Sequence, residues 1–236
     1  MMKVSRLLLS LLVCAVLVLP AHAKKFSVEM EFDFLPPPPT EDSIDFQRDK
    51  ALYTSTRALR DTPRWQLARG DADMKNWESW FAESFGMTLS KEKTPHTQAL
   101  LLDAMKAVKK SYKPTKDRYM RTRPYIYFKA DGGTCFPEAE AELSSNGSYP
   151  SGHTIHGWTL ALILAELSPE RRNELLKRGY ELGQSRVICG FHWQSDVDAG
   201  RLVASAAVNQ LHNDPGFRKR LKKARQEIAQ LRSESH

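Results

Sequence analysis

Apolar residues recur at helical spacing over much of the chain. Thr94-Pro95 is a polar residue followed by a proline, the pair that typically caps and begins a helix. Behind it a stripe of apolar residues returns every three or four positions: Leu101, Met105, Val108 and Tyr112. The pattern predicts a helix that begins at this pair and buries one face.

Two further segments, 154–167 and roughly 194–211, are apolar enough to lie at the centre of a helical bundle. Ser168-Pro169 and Asp214-Pro215 repeat the helix start signal after them. Alternating strand patterns are scarce, and the best candidate is the short run Tyr-Ile-Tyr-Phe at 125–128. We therefore predict an all-α fold, with a single helical bundle over residues 41–236.

The N-terminus has the pattern of a secretory signal. Lys3 and Arg6 precede an apolar run from Leu7 to Leu19, and Ala21-His22-Ala23 is a small-residue cleavage site. The run is too short to span a bilayer. We expect residues 1–23 to be a signal peptide and the rest to be exported to the periplasm, without stable membrane insertion.

Residues 24–40 end in four consecutive prolines, Pro36–Pro39. Such a run favours extended polyproline conformation. We predict an extended N-terminal arm here that contributes nothing to the core.

The composition is that of an ordinary globular protein. The chain has 236 residues, is 41% hydrophobic, and carries 35 Lys and Arg against 28 Asp and Glu, a formal net charge of +7. These values exclude a disordered chain, a collagen-like repeat and a disulfide-dense miniprotein. The length suits one domain with a full core.

The positive charge is densest at residues 218–225, where six of eight residues are Lys or Arg. Such a run is typical either of binding to an anionic partner or of a solvated helix whose apolar edge is buried. The run has no interleaved aromatic residues for base stacking, and apolar residues recur at Phe217, Leu221, Ile228 and Leu231. We favour the solvated helix and expect no nucleic-acid partner.

Cysteine usage agrees with export. Cys14 lies within the signal, so Cys135 and Cys189 remain as one pair in an oxidising compartment. They are predicted to form a disulfide; two buried free thiols are the alternative.

Three short clusters carry candidate chemistry: Lys116-(six residues)-Arg123-Pro124, Pro150-Ser151-Gly152-His153, and Ser185-Arg186-(five residues)-His192-(three residues)-Asp196. Together they supply the groups that phosphoryl transfer needs. Lys116, Arg123 and Arg186 are cations for phosphate oxygens. Ser151 and Gly152 would open a helix whose free N–H groups bind an anion. These groups together would neutralise a phosphate dianion, so we expect neither a metal nor a cofactor.

The two histidines are the candidates for the nucleophile and the general acid. If a helix begins near His192, Asp196 lies on the same face and can hold one ring nitrogen protonated while the other attacks phosphorus. Asp198 falls on the wrong face. His153 would protonate the leaving alcohol as general acid. His153 and His156 are spaced as a metal pair, but no further ligand follows at suitable spacing.

These clusters resemble the signature of the phosphatidic-acid-phosphatase-type (PAP2) superfamily. The wider runs from Gly147 to His153 and from Gly183 to Asp198 look like the class A bacterial non-specific acid phosphatases, with 25 residues between Pro124 and Pro150 and 31 between His153 and Ser185. The resemblance implies an all-helical fold of the type shared with vanadium haloperoxidases. It also implies a metal-independent acid phosphatase with broad phosphomonoester specificity, a phosphohistidine on His192, a phosphotransferase side activity and a homo-oligomer.

Four alternatives remain. A vanadate-dependent haloperoxidase uses the same site, whereas a membrane lipid phosphatase would need spanning helices. An aspartyl-phosphate enzyme would need a nucleophile at a strand end, and Asp71-Ala72-Asp73 follows no apolar strand. An exported anion-binding module would bind polyanions with steep salt dependence and no turnover.

Overall fold

The structure is a computed structural model, which describes residues 26–129 and 133–234. Within this part of the chain every regular element is helical, which confirms the predicted all-α class. The predicted signal peptide, residues 1–23, lies outside the described residues, so the signal and the export that depends on it stay predictions.

The α-helices of the described residues are α1 (Ile44–Thr56), α2 (Pro63–Ala72), α3 (Ala82–Phe85), α4 (Pro95–Tyr119), α5 (Pro124–Tyr127), α6 (Glu140–Ser144), α7 (Gly152–Leu167), α8 (Arg172–Cys189), α9 (Gln194–Leu211) and α10 (Pro215–Ser233). Short 3₁₀ turns lie at Arg57–Leu59, Met74–Ser79, Pro137–Ala139 and Pro169–Arg171.

Helix α7 lies at the centre of the bundle. It packs against α8, α9 and α4, and its side chains are buried on nearly all sides. A helix that is apolar all round has no solvent-facing side, so only a central position buries it fully. The largest apolar core surrounds this helix, and the two segments predicted for the bundle centre, 154–167 and 194–211, form α7 and α9.

The predicted helix starts are present, but their caps differ. Asp214 accepts hydrogen bonds from the amides of Gly216 and Phe217, as expected of an N-cap residue. At α4 the Thr94 hydroxyl instead donates to the carbonyl of Ser90. Glu227 of α10 accepts from the first amides of α4, so this helix is capped by its packing partner and not by its own flanking residue.

The strand candidate at 125–128 is wrong. Pro124 begins the short helix α5, Pro124–Tyr127, and the aromatic residues pack against rings from α1 and the segment before α9. A proline at the first helical position outweighs the alternating pattern of a four-residue run.

The prediction that residues 24–40 contribute nothing to the core is also wrong. The described part of this segment forms no regular helix, as an extended arm would. However, four of its apolar side chains are buried in the main core: Phe26, Val28, Phe32 and Leu35. Phe26, Val28 and Phe32 lie at alternate positions of the run 26–34, a strand-like period that the prediction of an extended arm overlooked. Leu35 falls outside this period.

The structure pairs Cys135 with Cys189 in a disulfide, with their Cα atoms 4.6 Å apart. The bond joins the segment after α5 to the last residue of α8. Helix α8 ends at Gly190, whose φ of +91° lies in the left-handed region that glycine adopts without strain. The chain reverses there and leads directly to His192.

The basic run lies on α10, which packs against α4 and buries Phe217, Leu221, Ala224 and Ile228. The favoured solvated-helix interpretation thus has the buried edge that it requires, although Leu231 is only partly buried. Across residues 26–129 and 133–234, no helix combines the length and the apolar character that crossing a bilayer needs.

Candidate active site

The three sequence clusters converge where α4 ends and where α7 and α9 begin. The Lys116 ammonium donates to the carbonyl of Pro150 at 3.2 Å, and the amide of Ser151 donates to the carbonyl of Asp196 at 3.0 Å. The amide of His192 donates to the carbonyl of Arg186 at 3.3 Å. The predicted residues thus form one buried constellation.

The imidazole of His192 is buried and its two nitrogens face different partners. Nδ1 lies 3.3 Å from Oδ2 of Asp196, and Nε2 lies 3.1 Å from a guanidinium nitrogen of Arg123. A carboxylate only accepts and a guanidinium only donates, so the proton sits on Nδ1 and Nε2 keeps its lone pair. Nε2 is therefore the nitrogen of this ring that has a lone pair available.

Asp196 is fixed by several donors besides His192. Its carboxylate accepts from the amide of Trp193 at 2.9 Å and from the hydroxyl of Ser148. Arg121 donates to its other oxygen at 2.6 Å. A carboxylate fixed by this many donors keeps its orientation and holds the imidazole in one tautomer.

Arg121 in turn bridges Asp196 to Asp49 of α1, at 2.9 Å. Asp49 also accepts from the amide of Ser195 in the first turn of α9. All three charged side chains are at least nine-tenths buried. The chain of contacts connects the N-terminal helix to the orientation of His192.

Lys116, Arg123 and Arg186, which we call the cationic cluster, lie around the two histidines. Arg123 is the most firmly held: its guanidinium donates to the carbonyls of Leu143 at 2.8 Å and Phe191 at 3.1 Å, and to the amide oxygen of Asn146 at 2.6 Å. Burial lowers its pKa to about 10, and the charges of Asp196 and Tyr125 act in the opposite direction. A guanidinium fixed in this way is preorganised for phosphate oxygens.

Arg186 is buried but incompletely paired. Nε and one terminal nitrogen of its guanidinium have no hydrogen-bond partner among the described residues, and the group lies 4.5 Å from the ring of Phe191. Burial and then the charge of Arg123 lower its pKa to about 9. Unsatisfied buried donors are costly, and acceptor oxygens placed against them would recover that cost.

Lys116 is the cation of the cluster whose pKa lies nearest to neutral pH. Burial, followed by the charge of Arg123, lowers its pKa to about 7, with a smaller contribution from Arg186 and an opposing one from Asp196. Bringing like charges together in a buried site costs free energy, which an anion of opposite charge recovers. The cluster therefore favours a dianionic ligand.

The start of α7 adds backbone donors. Ser151 is its N-cap residue and its hydroxyl accepts from Thr154, while Gly152 and His153 occupy the first turn, where amides have no intrahelical partner. A Cβ on Gly152 would lie 2.6 Å from the Tyr112 hydroxyl, so this close packing requires glycine. The positive end of the helix lies beside the cationic cluster.

His153 projects from this turn on the other side of the site. Its Nε2 lies 2.7 Å from the backbone carbonyl of Asp71, which only accepts, so Nε2 carries a proton. The ring of Trp80 packs against it with centroids 4.7 Å apart. Nδ1 is then the nitrogen left to exchange a proton with a substrate.

Neither histidine of the site keeps the ordinary imidazole pKa of about 6.5. Burial holds the pKa of each well below that value, and nearby cations act in the same direction: Arg123, Lys116 and Arg186 on His192, and Arg186 on His153. These effects favour the neutral form of His192. His153 needs the negative charge of a bound ligand to become an acid.

The residues that the sequence analysis did not assign to the site lie outside this constellation. Asp198 pairs with Arg201 at 3.0 Å on the solvent side. His156 is buried near Tyr112, and no group of three His, Cys, Asp or Glu side chains suited to a metal is found among residues 26–129 and 133–234. Asp71 is on helix α2 and its carboxylate is occupied by other side chains, so the aspartyl-phosphate alternative lacks its strand-end nucleophile.

Sequence reasoning missed Ser148, Arg121, Asp49 and Asp71. The first two lie within or beside the quoted motifs, but the two carboxylate partners of Arg121 come from α1 and α9. Asp49 and Asp71 come from helices far away along the chain, and nothing in their local sequence signals a role.

Comparison with known proteins agrees with the geometry. The chain matches the model of the PAP2 superfamily over residues 99–219. It is 47% identical over 201 residues to a non-specific acid phosphatase of Providencia stuartii, covering 84% of this chain and 80% of the relative. It is 44% identical over 216 residues to one from Salmonella typhimurium, covering 89% and 84%.

An acid phosphatase of Zymomonas mobilis is 36% identical over 225 residues, covering 92% of this chain and 84% of that protein. A solved structure of a transmembrane PAP2 type phosphatidylglycerolphosphate phosphatase from Bacillus subtilis matches with a TM-score of 0.50 at 18% identity, over 73% of this chain and 89% of that one. At that identity the match shows the fold alone. With its helical fold, its matched family model and these relatives, the chain belongs to the PAP2 superfamily.

Proposed function

We propose that this protein is an acid phosphatase that hydrolyses phosphomonoesters through a phosphohistidine on His192. The observation that carries the proposal is the position of Nε2 of His192: an unprotonated nitrogen, buried, within 3.1 Å of Arg123 and surrounded by the cationic cluster. The names of the relatives support the same reaction class.

In the first step Nε2 of His192 attacks phosphorus and the bond from phosphorus to the ester oxygen breaks. The leaving oxygen takes the proton from Nδ1 of His153, and the alcohol departs. Lys116, Arg123, Arg186 and the amides at the start of α7 stabilise the charge on the equatorial oxygens, because phosphoryl transfer depends mainly on positioning and electrostatics.

In the second step His153, now neutral, accepts a proton from water as the water oxygen attacks phosphorus. The bond between phosphorus and Nε2 breaks, and inorganic phosphate leaves. An alcohol in place of water would give transfer to the acceptor hydroxyl, so some phosphotransferase activity is part of the proposal.

We further propose that the reaction needs no metal ion. Three cations and the end of a helix supply the positive charge that a phosphate dianion requires. The outer surface of the site does not favour one particular leaving group. We therefore expect broad specificity for aryl, sugar and nucleoside phosphates. Export to the periplasm, supported by residues 1–23 and by the disulfide, and a homo-oligomeric state complete the proposal.

A rapid-quench experiment tests the mechanism and the nucleophile together. Protein lacking residues 1–23 is mixed with ³²P-labelled p-nitrophenyl phosphate in the presence of a chelator, then quenched. We expect an acid-labile, base-stable label on the protein and turnover to free phosphate.

His192→Ala removes both label and turnover in this proposal. His212→Ala is the matched control, because His212 is a partly exposed histidine that pairs with Glu166 at 2.9 Å, away from the site. A label that persists in His192→Ala, or activity that disappears with the chelator, contradicts the proposal. Assaying halide oxidation with added vanadate distinguishes the haloperoxidase alternative.

A further inference from the structure

Asp71 makes two kinds of contact near His153. It lies in the last turn of α2 and is 2% exposed. Its backbone carbonyl accepts from Nε2 of His153 at 2.7 Å. Its carboxylate, which the phosphatase mechanism above does not use, accepts from Arg178 at 2.5 and 3.1 Å and from the hydroxyl of Ser185 at 2.5 Å.

The carbonyl is well suited to a histidine that must become a cation. The last carbonyls of a helix have no intrahelical partner and carry the negative end of the helix dipole. Burial and the neighbouring positive charges oppose protonation of His153. The hydrogen bond to the Asp71 carbonyl favours protonation and raises the pKa of His153.

The carboxylate fixes where that carbonyl lies. Arg178 and Ser185 both belong to α8 and are seven residues apart, two helical turns, so they clamp Asp71 from one face of a single rigid helix. Arg178 also donates to the carbonyl of Trp80 at 2.8 Å, and the ring of Trp80 lies against His153. One ion pair therefore holds both neighbours of the imidazole.

The same clamp reaches the cationic cluster. Ser185 directly precedes Arg186, and the negative charge of Asp71 acts on the guanidinium of Arg186. Displacement of Asp71 would thus disturb the ring of His153 first and the binding of phosphate oxygens second.

We propose that Asp71 is the positioning residue of the acid: its carboxylate, clamped by Arg178 and Ser185, sets the end of α2 so that the backbone carbonyl holds His153 with Nδ1 directed at the leaving oxygen. This inference rests on the proposed phosphatase function. Asp71 itself touches no reacting atom, since its carboxylate is occupied by donors from α8.

The test is the dependence of kcat/KM on the leaving group. An alkyl phosphate such as 2-phosphoglycerol needs protonation of its poorly acidic alcohol, whereas p-nitrophenyl phosphate releases an acidic phenol that needs little help. For Asp71→Asn we expect kcat/KM to fall about tenfold more for the alkyl ester than for the aryl ester, a fraction of the roughly 10²–10⁴-fold that a general acid contributes.

Asp73→Asn is the matched control, since Asp73 undergoes the same change two residues on and its carboxylate accepts hydrogen bonds from Lys75 and Asn76. It should leave the ratio of the two kcat/KM values unchanged. An equal fall for both esters in Asp71→Asn, or no fall, overturns the inference and indicates a purely structural ion pair.

Ser185→Ala provides a second test in case Asp71→Asn does not fold. It removes one donor from the same carboxylate and leaves the ion pair with Arg178 in place. The same leaving-group dependence, smaller in size, is expected, and its absence counts against the inference. Wild-type protein that hydrolyses neither ester overturns the proposed function instead.

Discussion

The two histidines of the site are held in opposite ways. His192 is oriented by a side chain, Asp196, whose other oxygen is tied through Arg121 to Asp49. His153 is oriented by a backbone carbonyl at the end of α2. Each acceptor fixes one ring N–H and leaves the opposite nitrogen available, but at His192 that nitrogen faces the Arg123 guanidinium, whose positive charge opposes its protonation.

This difference predicts two distinct responses to mutation. Changes around His192 should slow attack on phosphorus and therefore affect every ester by a similar factor. Changes around His153 should affect esters in proportion to how much protonation their leaving group needs.

The largest expected effect comes from His153→Ala. We expect kcat/KM for an alkyl phosphate to fall by about 10²–10⁴-fold and that for p-nitrophenyl phosphate to fall much less. Because His153 also accepts the proton from water in the second step, labelled phosphoenzyme should accumulate in rapid-quench experiments. Equal losses for both esters, with no accumulated label, would assign His153 to binding and not to proton transfer.

Removal of the disulfide tests the support of His192 and not that of His153, because Cys189 lies three residues before His192. Its loop spans 54 residues, and the loop-entropy model gives a stabilisation of about 4 kcal/mol. We expect the double variant Cys135→Ser, Cys189→Ser to lose about this free energy of unfolding in urea titrations. Reduced wild-type protein provides the matched comparison, and a curve identical to that of the oxidised protein would show that the bond does not form.

Arg121→Lys tests the side-chain support of His192. Lysine keeps the charge but lacks the fork that reaches both Asp49 and Asp196, so one buried carboxylate loses its partner. We expect kcat/KM to fall roughly tenfold, about 1.4 kcal/mol of transition-state stabilisation, by the same factor for alkyl and aryl esters. Arg118→Lys, at an exposed position 3.9 Å from Asp33, is the control. A leaving-group-dependent loss in Arg121→Lys would break the comparison between the two histidines.

The sequence predicted the site better than its supports. Helix period and proline caps located α4, α7, α9 and α10, and the phosphate-binding and histidine residues follow from short spacings that a helix start or a single turn brings together. Their roles stay predictions until variants are measured.

The supports come from residues whose partners are distant in the chain. Asp49 and Asp71 reach the site only because α1 and α2 pack against the ends of α8 and α9, and Glu227 caps a helix that begins more than a hundred residues earlier. Leu35 is buried in the main core although it falls outside the alternating pattern of residues 26–34. Such contacts depend on tertiary packing, which local spacing does not encode.

The smallest expected effect is on the pH dependence of kcat/KM. It concerns His192 and not His153, because the charge of Lys116 acts on His192. Burial and the charge of Arg123 lower the pKa of Lys116 to about 7. As pH rises through this value the free enzyme loses one positive charge from the cationic cluster, so kcat/KM and the affinity for inorganic phosphate should both decline on the alkaline side.

Lys116→Arg should move that decline to higher pH, since a guanidinium keeps its proton where an ammonium of lowered pKa does not. The matched control is Lys113→Arg, an exposed position on the same helix that pairs with Asp117, and its profile should follow that of the wild type. Profiles of kcat/KM between pH 5 and 9 measure the shift. If the alkaline decline stays at the same pH in Lys116→Arg, another group causes it. The cationic cluster would then act on His192 through its two arginines alone.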